Sequence, residues 1–336
     1  MPRKNLLFLI LLLIATTVNY AQKIKWSGYG AVGYKYYNRL VLNHYNQETY
    51  YEGKIQADIE FSKKIEGQLD LRGNSVDNSM KLREATIKFE LGDYLNLKVG
   101  NIKKPFGYEY LVNEEELIPI ERSYVQERNA ELGYGGRAVS IMAYHKYSDK
   151  QPEFPFSYYL SIFRDNTLFT GIVSRFEYHL DQFGIGLNYM FENKGGDYKI
   201  STHGFGGGIF TESNDLNTSM ELFLVQDPFE SNRRKLQGND EKVFSFGGKI
   251  SASYFFEMNE EFLKGIEPVI MLSSFTPDTD ATDDHVIQLV TGANFYLHKQ
   301  VRARINGDLR LTKNQYNSDY STQDSRLNLQ IQMTFE

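Results

Sequence analysis

The chain has 336 residues, 37 Lys and Arg against 43 Asp and Glu, a formal charge of −6, and no Cys. An acidic balance argues against a nucleic-acid partner, and the lack of thiols removes disulfide staples and thiolate chemistry. Tyr and Phe are abundant at 24 and 23, which favours strands and suits side chains placed at a membrane–water boundary.

Arg3 and Lys4 precede the unbroken apolar run Leu6 to Ile14, and Ala15 to Ala21 is small and polar. That is the layout of a secretion signal over residues 1–21, cut after Ala21. The run is too short for a membrane span, which takes roughly 20 residues. No later stretch is apolar enough for a transmembrane helix. Residues 22–336 contain no low-complexity tract and no repeat, so they are read as one domain.

Sixteen strands are predicted in chain order, at 24–37, 50–61, 65–73, 81–91, 95–101, 136–147, 154–164, 170–180, 183–191, 198–211, 216–226, 242–256, 264–275, 285–297, 301–311 and 325–336. Several alternate with period two. Gly53, Ile55, Ala57, Ile59 and Phe61 oppose Glu52, Lys54, Gln56, Asp58 and Glu60. Val301, Ala303, Ile305, Leu309 and Leu311 oppose Arg302, Arg304, Asn306, Asp308 and Arg310. Tight turns at 62–64, 92–94, 181–182 and 298–300 alternate with longer polar loops near 38–49, 102–135, 227–241, 276–284 and 312–324. A soluble β-sandwich also alternates, but it does not need sixteen strands in one unit. The pattern implies an all-β, transmembrane, antiparallel up-and-down β-barrel, with polar residues facing the lumen and apolar ones facing lipid.

The fourth and fifth strands carry the most specific signal. Arg83-Glu84-Ala85 opens a hairpin that turns at Gly92-Asp93-Tyr94, returns through Leu95, Leu97 and Val99, and leaves the sheet at Lys104-Pro105-Phe106-Gly107. Pro119-Ile120-Glu121-Arg122-Ser123 follows. This passage resembles the signature of the phosphate-selective porin O/P family of outer-membrane channels, on Arg83, Glu84, Lys104, Pro105, Phe106, Gly107 and Ser123. The resemblance implies a homotrimer in the outer membrane of a Gram-negative bacterium, in contact with lipids and lipopolysaccharide. It also implies passive diffusion of small hydrophilic solutes or inorganic ions, phosphate and other oxyanions among them. The third outer loop, 102–135, is expected to fold inward and narrow the pore. No cofactor is implied.

Between Pro105 and Arg137, seven glutamates meet only Arg122, Arg128 and Arg137. Rings of charge set ion preference in a narrow pore, so Glu121, Arg122, Arg128 and Arg137 are candidate pore residues. Glu114 to Glu116 read as the cap of a solvated outer loop. Arg302, Arg304 and Arg310 share the lumen face of one strand. They form either a guanidinium ladder for anions or a set of cross-lumen pairs with residues such as Glu52, Asp58 and Glu60. Asp278, Asp280, Asp283 and Asp284 cluster in an outer loop, a weak pattern for Ca²⁺ because no calcium-loop spacing is completed. The six histidines make no zinc spacing and no G-x-S-x-G elbow occurs, so the chain is read as not an enzyme. A Ser–His pair assembled by the fold is not readable from spacing. The alternative to a channel is a closed barrel that acts as a surface scaffold through its outer loops 227–241 and 312–324.

Overall fold

The computed structural model describes residues 23–39, 44–76, 78–148, 153–164, 170–194, 200–211, 213, 215–239, 241–280, 285–312 and 324–336. The expected leader over 1–21, Asp283, Asp284 and nearly all of the 312–324 loop lie outside them.

Sixteen antiparallel strands close into one barrel: β1 (Lys23–Arg39), β2 (His44–Ser62), β3 (Ile65–Asn74), β4 (Ser79–Gly92), β5 (Leu95–Lys103), β6 (Arg137–His145), β7 (Phe156–Arg164), β8 (Thr170–Leu180), β9 (Phe183–Lys194), β10 (Ile200–Thr211), β11 (Leu216–Gln226), β12 (Phe244–Tyr254), β13 (Gly265–Thr276), β14 (Val286–His298), β15 (Val301–Thr312) and β16 (Asp324–Phe335). A two-residue extension of β12, Phe256–Glu257, continues along β13 after Phe255. Each strand pairs with its neighbour in sequence, and β1 also pairs with β16 from Gly28 opposite Phe335 to Arg39 opposite Asp324. Closure leaves no unpaired edge in the sheet. The sixteen predicted strands are all present. The first outer connection is far shorter than the expected 38–49 loop, because β1 and β2 run on to Arg39 and from His44.

Burial is inverted relative to a soluble protein. Along β15, Ile305 and Leu311 are 38% and 54% exposed, while Arg304 and Asn306 are 3% and 1% exposed. On β16, Ile331, Met333 and Phe335 lie on the outer face, and Asn328, Gln330 and Gln332 are buried inside. An outer surface this apolar is stable only in lipid, where a strand alternates apolar-out and polar-in. Rings of Tyr94, Phe154, Phe156 and Tyr178 pack against one another at the turn end, a position that suits the lipid–water boundary.

One local irregularity matters for the lumen. Asp70 of β3 faces Glu84 of β4, but Leu71 faces Leu82, so Arg83 is an extra residue in β4. A bulge of this kind breaks strict alternation and re-aims a side chain. Here it turns both Arg83 and Glu84 toward the interior, where each finds a charged partner.

A charge on the lipid face tests the orientation of the wall. Ile305→Arg, near the middle of β15, is expected to cost about 2–4 kcal/mol of barrel stability. Urea unfolding in lipid vesicles measures it. An unchanged midpoint would mean that this face does not meet lipid.

Candidate functional site

The 104–136 segment crosses the lumen. It leaves β5 through Lys104, whose buried Nζ donates to the Gly133 carbonyl at 2.9 Å and to Glu192 Oε1 at 3.2 Å and lies 4.4 Å from the centre of the Phe163 ring. Phe106 packs beside Tyr134 and Phe223. Gly107 has φ +90°, and a Cβ there would lie 2.5 Å from Gln126 Nε2, so only glycine allows the inward turn. A single helical turn, α1 (Tyr108–Leu111), follows. Its backbone N–H groups at Tyr108 and Glu109 donate to the Glu221 carboxylate on β11.

A 3₁₀ turn at Glu114–Glu116 leads to α2 (Tyr124–Glu131). Ser123 precedes α2 and donates through both N and Oγ to Glu109, at 2.7 and 2.6 Å. Arg122 folds back onto the carbonyls of Glu109 and Val112 and over the Tyr110 ring. Val125 is fully buried against β12, where a Cβ on Gly247 would lie 2.4 Å from Val125 Cγ2. Gly247 therefore sets how closely the loop helix can approach the wall.

Loop carboxylates meet wall cations all the way round. Glu109 pairs with Lys249 at 2.9 Å. Glu114 pairs with Arg72, and with Arg83 at 2.8 Å. Glu115 pairs with Lys54 at 2.5 Å and Arg72 at 3.8 Å. Glu121 pairs with Lys35 at 2.8 Å and Arg326 at 2.7 Å, and Glu127 with Arg310 at 3.2 Å. The loop backbone is held as well. Arg304 donates to the carbonyls of Leu117, Ile118 and Pro119 at 2.5, 3.0 and 2.6 Å, and Arg302 donates to those of Glu115 and Leu117. Ile120 N donates to Asn306 and Tyr124 N to Gln288, both at 2.7 Å.

These contacts revise the sequence reading. Glu114 and Glu115 are docked on the wall and do not cap a solvated loop. Arg302, Arg304 and Arg310 neither stand free as a ladder nor pair with Glu52, Asp58 and Glu60, because the loop occupies them. Arg128 reaches Glu131, Arg137 reaches Glu84 at 2.9 Å, and Arg122 braces the loop internally. In the outer loops, Asp278 is bound by Arg234 of the helix α3 (Pro228–Leu236). Among the described residues no group of acidic and histidine side chains could hold a metal ion. Lys35, Lys54, Arg72 and Lys249 were not singled out from sequence. Strand parity marks Lys54 as inward-facing, but nothing in the sequence names its partner.

Burial raises the carboxyls of the loop, and the neighbouring cations lower them. The balance differs by site. At Glu114, burial is outweighed by Arg72, Arg83 and Arg122, which bring the carboxyl down to about 2. Glu109 and Glu121 are also lowered, against burial, by Lys249 and Arg122 and by Arg326 and Lys35 respectively. At Glu127 burial wins over Arg310 and Arg326, and the carboxyl is raised.

The loop divides the lumen. Phe106, Val125, Leu132 and Tyr134 join Phe163, Val173, Met190, Phe223 and Phe275 of the wall in a buried apolar cluster. The side along β2 to β5 stays polar. A cavity of about 130 Å³ there is lined by Glu52, Arg72, Asn74, Ser79, Lys81, Arg83 and Glu114. Toward the turn end, a cavity of about 410 Å³ is lined by Lys23, Lys25, Asp58, Glu60, Lys88 and Lys98 among others.

A Ser–His pair does form. Ser157 Oγ lies 2.8 Å from His179 Nε2. Glu177 approaches the same nitrogen, at 3.6 Å, and Ser157 is fully buried and accepts from Tyr147 N. A nucleophile needs an open path to substrate, and Ser157, fully buried, has none.

No family model matches the chain, and no curated protein sequence matches it. Solved structures do. OmpF of Salmonella typhi, seen with daunomycin, superposes with a TM-score of 0.67 over 94% of this chain and 99% of its own, at 14% identity. The anion-selective porin of Comamonas acidovorans gives 0.62 over 93% and 99%, at 11% identity. The trimer form of OmpT, an outer-membrane protein of Vibrio cholerae, gives 0.61 over 93% and 99%, at 7% identity. The fold is thus that of the bacterial porins, and an exterior this apolar suits a barrel embedded in lipid.

Two consequences can be measured. Arg304→Met strips the only donor to the Pro119 carbonyl among the described residues and is expected to weaken loop docking by about 1–3 kcal/mol. Faster protease cleavage within 113–121 in the folded barrel reads it, and unchanged cleavage would place the clamp elsewhere. The Glu114 carboxyl titrates lower in the folded state than in the unfolded one. Its contribution is present above the ordinary carboxylate range and is lost only as pH falls through about 2. Pepsin is therefore expected to spare Glu114–Glu116 in mild acid, and to cut the Glu114→Gln variant there under the same conditions.

Proposed function

We propose that the chain is a passive diffusion porin of a Gram-negative outer membrane, with its passage along β2 to β5 and its narrowest point beside Glu114. The observation that carries this reading is the clamped loop: its apolar side packs on the wall in one buried cluster and its acids from Glu114 to Glu127 face the polar wall. Solutes would then pass Glu52, Arg72, Lys81 and Arg83 of the wall and Glu114 of the loop, with Arg137 and Lys98 below. Three cations against two carboxylates in a narrow, low-dielectric passage give a mild preference for anions, phosphate and other oxyanions included. The resemblance of Arg83 to Ser123 to the phosphate-selective porins supports the same direction. Arg122 and Arg128 would act on selectivity only through the loop they brace.

The trimer form of one structural neighbour supports a homotrimer, and the apolar belt supports contact with lipids and lipopolysaccharide. A second reading is a closed barrel that works as a surface scaffold through its outer loops. The buried apolar cluster inside the lumen favours it, since it takes up space that a water-filled passage would need.

Conductance across a planar bilayer separates the two. The refolded barrel is expected to insert in steps and to give a reversal potential of anionic sign in a KCl gradient, with partial block by phosphate. Arg83→Ala removes a charge whose interaction with a passing ion is worth roughly 1 kcal/mol in water at contact, so selectivity should move toward cations by about fivefold. A folded, heat-modifiable barrel that never conducts would favour the scaffold.

A further inference from the structure

On the turn side of the loop, opposite the β2 to β5 passage, lies a second cavity of about 350 Å³. The inner limb of the loop from Tyr108 to Pro119 forms one wall, and β10 to β15 form the other. Its charged groups are committed to the protein. Glu109 is bridged by Lys249, and Arg302 is spent on loop carbonyls. The Glu267 carboxylate is held by three neutral donors: Ser253 at 2.8 Å, Asn294 at 2.9 Å and the Tyr296 hydroxyl at 2.7 Å.

At the rim, one oxygen of the exposed Glu116 carboxylate accepts from Asn113 N; the rest of what remains for a solute is neutral and hydroxyl-rich. The Asn217 amide makes no hydrogen bond among the described residues and faces the cavity. Ser219 and Ser251 share one bond, at 2.9 Å, which leaves each hydroxyl further capacity. The Tyr296 hydroxyl donates to Glu267 and can still accept. Beside these groups lie apolar surfaces: Val112, Leu117, Val269 and Met271, with the rings of Tyr108 and Tyr296. Scattered neutral donors and acceptors next to aliphatic and aromatic faces match a molecule with many hydroxyls on a C–H framework. A free phosphate would instead want uncommitted cations.

We infer that this pouch is a binding subsite for a small, uncharged, polyhydroxylated solute of saccharide type, separate from the charged passage across the loop. The inference rests on the diffusion reading only for how such a solute arrives, because the pouch can bind whether or not the barrel conducts.

Maltose is a suitable probe. Saturation-transfer NMR on the refolded full chain, in an amine-oxide detergent that carries no sugar, is expected to show maltose binding that inorganic phosphate does not displace. Asn217→Leu should weaken it by about tenfold, the worth of roughly one hydrogen bond. If that variant fails to fold, Ser219→Ala serves the same purpose with a smaller change. No maltose signal, displacement by phosphate, or unchanged affinity in the folded variant would each overturn the assignment. A barrel that conducts without binding maltose would lose the pouch and keep the diffusion reading. One that binds maltose without conducting would do the reverse.

Discussion

The interior of this barrel depends on one electrostatic constraint. A strongly acidic loop has been taken out of bulk water, and a buried carboxylate is costly unless it is paired and hydrogen-bonded. Glu109, Glu114, Glu115, Glu121 and Glu127 each meet that demand with cations of the wall, Arg72 serving both Glu114 and Glu115. The loop position and the wall charges are therefore a single arrangement. Removing one cation leaves a desolvated anion behind, which is why single substitutions in the wall act on the loop.

That arrangement fixes what the lumen can contain. Docking Glu114, Glu115, Glu121 and Glu127 against β1 to β4, β15 and β16, with Glu109 held on β12, turns Phe106, Val125 and Tyr134 of the loop onto β7 to β13. The wall there offers Phe163, Phe223 and Phe275, and Gly247 makes room for Val125. A barrel whose exterior is already buried in lipid does not need this internal core for closure. The core positions the loop, and its Glu114 faces the polar cavity along β2 to β4 as a result.

Much of the fold was legible in the sequence because a strand with one face in lipid must alternate. Ile305 and Leu309 against Arg304 and Asn306 give inside and outside without any structure. The long 102–135 connection, rich in Glu, stood out for the same reason. Three things were not legible. The bulge at Arg83 breaks the alternation by one residue and leaves no mark in composition. Outer helix α3 was read as loop, although Asp227 followed by Pro228 is a helix start, and Asp227 does accept from Phe229 N and Glu230 N. Partner identity was the largest gap: Arg304 could not be matched to the carbonyls of Leu117, Ile118 and Pro119, because they are distant in sequence and carry no side-chain signal.

The same geometry changes what the recognisable motif reports. Lys104, Phe106 and Gly107 set the inward turn; Glu121, Arg122 and Ser123 fasten the returning limb; Glu84 orients Arg137. These residues fix where the loop lies and say little about which solute passes it. Selectivity in the proposed passage then falls to side chains off the motif, Glu52, Arg72 and Lys81, with Arg83 alone belonging to both sets. Two barrels could share the motif and the loop path yet differ in solute through three positions on β2 to β4. A likeness confined to the motif is therefore weaker support for phosphate than the balance of charge that lines the cavity beside Glu114.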